Sequence, residues 1–206
     1  MKIVNYHHKS IFDAHKNGNL SYTEAWKNEK IMKFGIKNCF VYFHRFSNRT
    51  LLEALNNSKK LPKVSVFSPL TAKYLINKYY HDEKVIFDPF SGFSGRMLGT
   101  CSLGKTYIGS DISSIAVEES NKIATLLSLD AFVTKKNVKD YKRTERLPVL
   151  FTCSPYGLKE TWNNKEQDDY SCDEWISQCL IHCNCPSYLF VVDKTEKYKG
   201  NIVEEL

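Results

Sequence analysis

The sequence predicts an α/β protein: a doubly wound, mostly parallel sheet behind a helical N-terminal segment. Three observations predict it. Short apolar runs of strand length recur from residue 84 onward, stretches with helical spacing separate them, and the first run ends in Asp-Pro before turning through two glycines into a helix. Alternation of this kind builds βαβ units, and hence a parallel sheet covered on both faces.

The elements follow in order. Residues 1–62 read as the helical N-terminal segment. In "LSYTEAWKNEKIMKFG", Leu20, Ala25, Ile31 and Phe34 have helix-like spacing; Ser21 or Thr23 suits its cap and Gly35 its end. "RTLLEALNNSKKLP" predicts a second helix, closed by Asn-Asn-Ser and Pro62. Residues 63–206 form the α/β domain. It opens on "SPLTAKYLINKYY", where Pro69 sits well in a first helical turn. The strand candidates are "KVIFD", "KTYIGSD", "AFVTKK", "VLFTCS" and "YLFVVD"; "GRMLGTCSL", "SIAVEESNKIATLLSL" and "DEWISQCLIHC" are the helices between them.

Bulk properties narrow the classes. At 206 residues, 42% hydrophobic and 25% charged, the chain suits one globular domain with a small appendage. No apolar run approaches the ~20 residues of a membrane span. The first residues lack the apolar centre of a secretory signal. A cytoplasmic location is therefore expected, with the seven cysteines as reduced thiols. A net charge of +6 with 13% aromatic residues favours a polyanionic partner. Arg45, Arg49, Lys59, Lys60 and Lys63 suit either a phosphate backbone or a solvated face. Cys179, His182 and Cys183 share one helix face, with Cys185 close by; that suits a buried helix, and no metal is expected.

The chemistry concentrates in two loops. "VIFDPFSGFSGRMLG" places Asp88 where a strand runs out, then Gly92 and Gly95 in the turn to a helix. A second acid, Asp111, ends the next strand 23 positions later, where an acid can hold both hydroxyls of a ribose. The loop matches neither Gly-x-Gly-x-x-Gly nor a P-loop, so a nucleoside without phosphates fits best.

"DPFSGFSGR" resembles the first motif, D-P-F-x-G-x-G, of S-adenosylmethionine-dependent methyltransferases of the amino-methylating DNA type, with Ser94 at the second Gly of the pattern. "FSPLTAKYL" resembles the helix that often precedes that motif. The resemblance implies a Rossmann-like sheet of order 3-2-1-4-5, two strands short of the family's usual number. It implies S-adenosylmethionine as cofactor. Ser68 and Thr71 would lie at its methionine end, the Asp88, Pro89, Phe90, Gly92 and Gly95 loop would cradle the methionine part, Asp111 and adjoining Ile112 would hold the ribose, and Asn137 would stand near the adenine.

"TCSPY" then resembles the family's fourth motif, (D/N/S)-P-P-(Y/F), with Cys153 and Ser154 in the first two places and Pro155 and Tyr156 matching outright. The similarity spans roughly residues 64–195 and extends to Glu160, Trp162, Tyr170 and Trp175. It implies methylation of adenine N6 or cytosine N4 in DNA. Cys153, Ser154 and Pro155 would accept the amine hydrogens and Tyr156 would stack on a flipped base. The sulfur of Cys153 is a weak acceptor and the Ser154 oxygen a better one. A cysteine nucleophile of the cytosine-C5 type would need a Pro-Cys motif on the fourth strand, which this sequence lacks. An RNA-base or protein-amide methyltransferase, and a silent cofactor or nucleic-acid binding module, remain as alternatives. Target choice falls to the N-terminal helices, a partner chain or a dimer, with no membrane involved.

Overall fold

A computed structural model describes residues 7–13, 15–16, 20–57, 66–155, 160–161 and 170–192. Lys59, Lys60, Lys63, Tyr156 and Trp162 lie outside the described residues. The chain divides into a larger unit, Met1–His8, Val66–Leu158 and Glu166–Leu206, and a smaller one, Lys9–Ser65 and Lys159–Lys165.

In the smaller unit, α1 (Tyr22–Lys27) starts at Ser21, which exchanges capping bonds with Glu24. The single helix expected over residues 20–35 is in fact two. Asn28 takes an extended backbone, donates its N–H to the Ala25 carbonyl to close α1, and accepts from Ile31 N to open α2 (Glu29–Phe43). Gly35 does not end α2. It lies inside it, where a Cβ would stand 2.6 Å from Leu55 Cδ2, so its bareness lets α3 (Asn48–Asn57) approach. Ala25, Ile31, Cys39, Leu51, Ala54 and Leu55 form the core. His15–Lys16 pairs antiparallel with Glu160–Thr161.

The larger unit holds α4 (Pro69–Tyr79), β1 (Val85–Asp88), α5 (Gly95–Cys101), β2 (Thr106–Asp111), α6 (Ser114–Leu126), β3 (Ala131–Lys135), β4 (Val149–Cys153), α7 (Cys172–His182) and β5 (Tyr188–Val191). Every expected strand is present. Every pairing is parallel and the order is β3-β2-β1-β4-β5, the 3-2-1-4-5 sheet.

Alternation along the central strands sends side chains to opposite faces. Ile86, Val149 and Phe151 pack with Ala72, Leu75, Ile76 and Tyr80 of the α4 segment. Met97, Tyr107, Ile123, Ala124 and Val133 join α5 and α6 to the sheet. Phe87 and Leu150 turn the other way, against Val138, Tyr141 and the α7 residues Trp175 and Cys179. This burial makes the sheet rigid and fixes where its carboxyl-end loops emerge.

Candidate functional site

β1 lies between β2 and β4, at the point where the sheet's growth reverses direction. Ligands of open α/β sheets bind outside the carboxyl ends of the strands at such a point. The loop after β1 carries "DPFSGFSG", β2 ends in Asp111, and β4 runs into Cys153 and Ser154. The topology thus brings the two sequence motifs to one edge of the sheet.

Asp88 is fully buried and holds these loops together. One carboxylate oxygen accepts from Arg96 Nε at 2.6 Å and the Tyr107 hydroxyl at 2.7 Å. The other accepts from Thr152 Oγ1 at 2.6 Å and from Phe90 N at 3.1 Å. Arg96 also donates to the Phe90 carbonyl. Burial works against the Arg96 charge, but Asp88 beside it holds the guanidinium above its ordinary range. Burial, reinforced by Asp88, pushes the Tyr107 phenol up, which keeps it a donor. Four residues donate to Asp88 inside the protein, so the loop's shape is set before any ligand arrives.

The two glycines serve different needs. Gly92 has a φ of +55°, and its N–H donates to Asp111 Oδ2 at 2.9 Å. A Cβ on Gly95 would fall 2.0 Å from the Phe67 carbonyl oxygen, so the loop presses on the backbone just before α4. Ser110 clamps the loop further: its carbonyl accepts from Ser91 N at 2.8 Å, and its hydroxyl donates to the Pro89 carbonyl at 3.3 Å.

Asp111 also accepts from Ser113 N at 2.8 Å. Burial raises its carboxyl above the ordinary carboxylate range, and the two backbone bonds counter this in part. Ile112 follows it, half-buried. Ser68 caps α4 by accepting from Thr71 N at 3.3 Å. Asn137 stands two residues past β3 and caps a short turn through Lys139 N at 3.0 Å, so one acceptor site of its oxygen is engaged. Cys153 and Pro155 are half-buried, whereas Ser154 is buried with its hydroxyl 3.1 Å from Cys172 Sγ, at the start of α7. Phe90 and Tyr170 meet the Trp175 ring edge-on at 5.3 and 5.0 Å. Among the described residues, the buried Trp175 indole nitrogen has no hydrogen-bond partner.

One part of the site has no sequence signal. Ser94 takes a left-handed φ of 61°, a conformation that costs a serine roughly 1–3 kcal/mol unless its surroundings hold it. Its hydroxyl lies 2.6 Å from His8 Nε2 and donates to Ser120 Oγ at 2.8 Å. His8 Nδ1 stands 3.1 Å from Glu119 Oε2, and Phe93 packs on the ring edge. The array resembles a Ser-His-Glu relay, but both His8 and Ser94 are sealed from solvent, so it anchors the loop rather than attacking a substrate. Sequence separations of 86 and 111 residues hid it.

Burial pushes the His8 imidazole below its ordinary 6.5, against the pull of Glu119 and with a small push from His7. The unfolded chain therefore binds the His8 proton more readily than the folded one. Stability from this group is complete above 6.5 and falls as pH drops from there through the folded value. Denaturation curves above and below 6.5 should show this loss in the wild type and less of it in His8→Gln; parallel pH profiles would refute it.

Among the described residues, no group of three or more His, Cys, Asp or Glu could hold a metal. Cys179, Cys183 and Cys185 belong to the core under α7, and burial pushes the last two thiols up to about 12. No helix among the described residues is long and apolar enough to cross a membrane.

No family model and no curated protein matches this sequence. The fold is similar to solved methyltransferase structures. A candidate RNA methyltransferase of Pyrococcus horikoshii is 15% identical over 59% of this chain and 59% of that one, with a TM-score of 0.44. An S-adenosylmethionine-dependent methyltransferase of Clostridium acetobutylicum is 12% identical over 68% of this chain and 56% of that one, at 0.46. A candidate methylase of Haemophilus influenzae is 14% identical over 64% and 81%, at 0.45. The chain thus spans less than two thirds of the length of the first two, and likenesses at these TM-scores carry no argument about it.

Proposed function

We propose that the chain binds S-adenosylmethionine and transfers its methyl group to an exocyclic amine of a DNA base, adenine N6 or cytosine N4. The observation that carries the reading is the meeting of the Asp88–Gly95 loop and the Cys153–Ser154 segment at the switch point, tied by the Thr152–Asp88 bond. A cofactor loop and an acceptor loop must stand side by side for direct transfer.

The residues fit the cofactor. Arg96 is the cation closest to the loop in sequence, and its bonds to Asp88 and Phe90 draw it inward. That favours a nucleoside over a phosphorylated ligand. Asp111 retains acceptor capacity beyond its two backbone bonds, enough to take ribose hydroxyls. When bound, S-adenosylmethionine would supply an electrophilic methyl on a sulfonium sulfur, the S–C bond breaking to a neutral thioether as the N–C bond forms and the amine's surplus proton passing to solvent.

The protein's part is to prepare the amine. Its lone pair is delocalised into the base ring, so it is a poor nucleophile. Acceptors that take its two hydrogens draw the nitrogen towards a tetrahedral shape; here these are backbone carbonyls of the 153–155 segment and the Cys153 or Ser154 side chain. Tyr156 would stack on the extruded base. The Trp175 N–H, buried beside Phe90, is a donor that an entering acceptor atom would satisfy.

One observation favours a second reading, a cofactor-binding module that no longer transfers. Ser154 is buried and its hydroxyl faces Cys172. Label from methyl-labelled S-adenosylmethionine, offered with duplex DNA, single-stranded DNA, tRNA and bulk protein beside a cofactor titration, separates the readings. Label on a DNA amine is the expected result. Label on RNA or protein moves the substrate class, and cofactor binding without label supports the silent module. Tyr156→Ala should lower turnover on DNA by about tenfold to a hundredfold while cofactor affinity stays unchanged. Unaltered turnover would remove the base-stacking role.

A further inference from the structure

We propose that the outer face of α2, with the turn that follows it, is a binding surface for single-stranded nucleic acid. This rests on the nucleic-acid reading above for its class of partner, and uses none of the methyl-transfer residues.

The helix is two-sided. It buries Ile31, Gly35 and Cys39, at i, i+4 and i+8. At 100° per residue, Lys30, Lys33, Lys37 and Phe40 fall on the opposite side, and each lysine is exposed. Rings stand beside the charges. Phe40 is 56% exposed and Phe46, from the turn, 51%; the two stack with centroids 6.4 Å apart and planes 16° from parallel. Aromatic side chains this open cost free energy in water, so they mark a contact surface.

Charge identifies the occupant. Between residues 20 and 57 there are six Lys and Arg against three Glu. Glu29 pairs with Lys33, Glu53 with Arg49, and Glu24 caps α1. Among the described residues Lys27, Lys30, Lys37 and Arg45 have no acidic partner. An apolar protein partner would gain nothing from cations at successive turns. A polynucleotide offers phosphates to the lysines and flat bases to the ring pair. Duplex bases already stack on each other and cannot reach the rings, so a single strand is the better match.

The test uses the full chain and a fluorescent oligodeoxythymidylate longer than ~16 nucleotides, by anisotropy without cofactor. Phe40→Ala with Phe46→Ala should weaken binding about tenfold or more. Lys30→Gln with Lys37→Gln should lower the slope of log affinity against log salt by about 1.4. Cofactor affinity should not change in either variant, and thermal midpoints check that both remain folded. Equal affinity in wild type and both variants overturns the proposal. So does loss of binding to anionic vesicles, or of a dimer, with strand binding intact. Strand binding that persists in a chain transferring no methyl would sink the transferase reading and leave this one standing.

Discussion

Asp88→Asn is expected to cost about 3–5 kcal/mol of folding stability, read as a fall in the urea midpoint of the larger unit. The substitution keeps the shape and deletes the charge. It leaves Arg96 buried with its cation uncompensated, and it turns one acceptor oxygen into a donor facing two other donors. A domain stable by ~5–15 kcal/mol loses a large fraction of that margin. Thr152→Val, which removes one neutral donor from the same carboxylate, should cost only about 1 kcal/mol. Equal losses for the two variants would mean that the ion pair is not what holds the loops.

The second large effect falls on binding. Asp111→Ala should reduce affinity for S-adenosylmethionine or its demethylated product at least a hundredfold by titration calorimetry, since two hydrogen bonds to a charged acceptor are worth about 3 kcal/mol or more. The pH dependence adds a signature. Burial raises the Asp111 carboxyl, so the proton is held more tightly in the folded chain. Its contribution to stability is complete below the ordinary 3.8 and is lost as pH rises through the folded value. The proposed ribose contacts would need the ionised form, so affinity is expected to run the opposite way and fall towards acid. A wild-type affinity that stays flat into acid, or one that Asp111→Ala leaves intact, would place the nucleoside elsewhere.

Much of the fold was legible because its signals are local. Five apolar runs became five parallel strands, since a strand buried on both faces must be apolar at nearly every position. The break at Asn28 was hidden because one residue caps both helices without interrupting the apolar spacing. Gly35 was misread because a glycine that ends a helix and one that admits a neighbour look the same in one sequence. The two motif loops could be found by their residues, but their physical roles could not. Asp88 looked like a ligand contact, yet its partners lie 2, 8, 19 and 64 positions away and turn it inward. Ser94 looked like a loose variant of a glycine, and its left-handed backbone is steadied by a histidine near the chain's start. Periodicity reports faces of elements; it carries no information about which distant polar groups will meet.

The central place of β1 also governs how the sheet can assemble. One edge of β1 pairs with β2, about twenty residues downstream, while its other edge waits for β4, where Ile86 meets Val149. Parallel neighbours this far apart require long loops to close before the pairing stabilises them. On a ribosome, β3-β2-β1 can form while the far edge of β1 still has open N–H and C=O groups and Phe87 lacks its cover. Such an edge invites pairing with another chain. The Thr152–Asp88 bond cannot form until β4 arrives, so the step that closes this aggregation-prone interval also completes the candidate site.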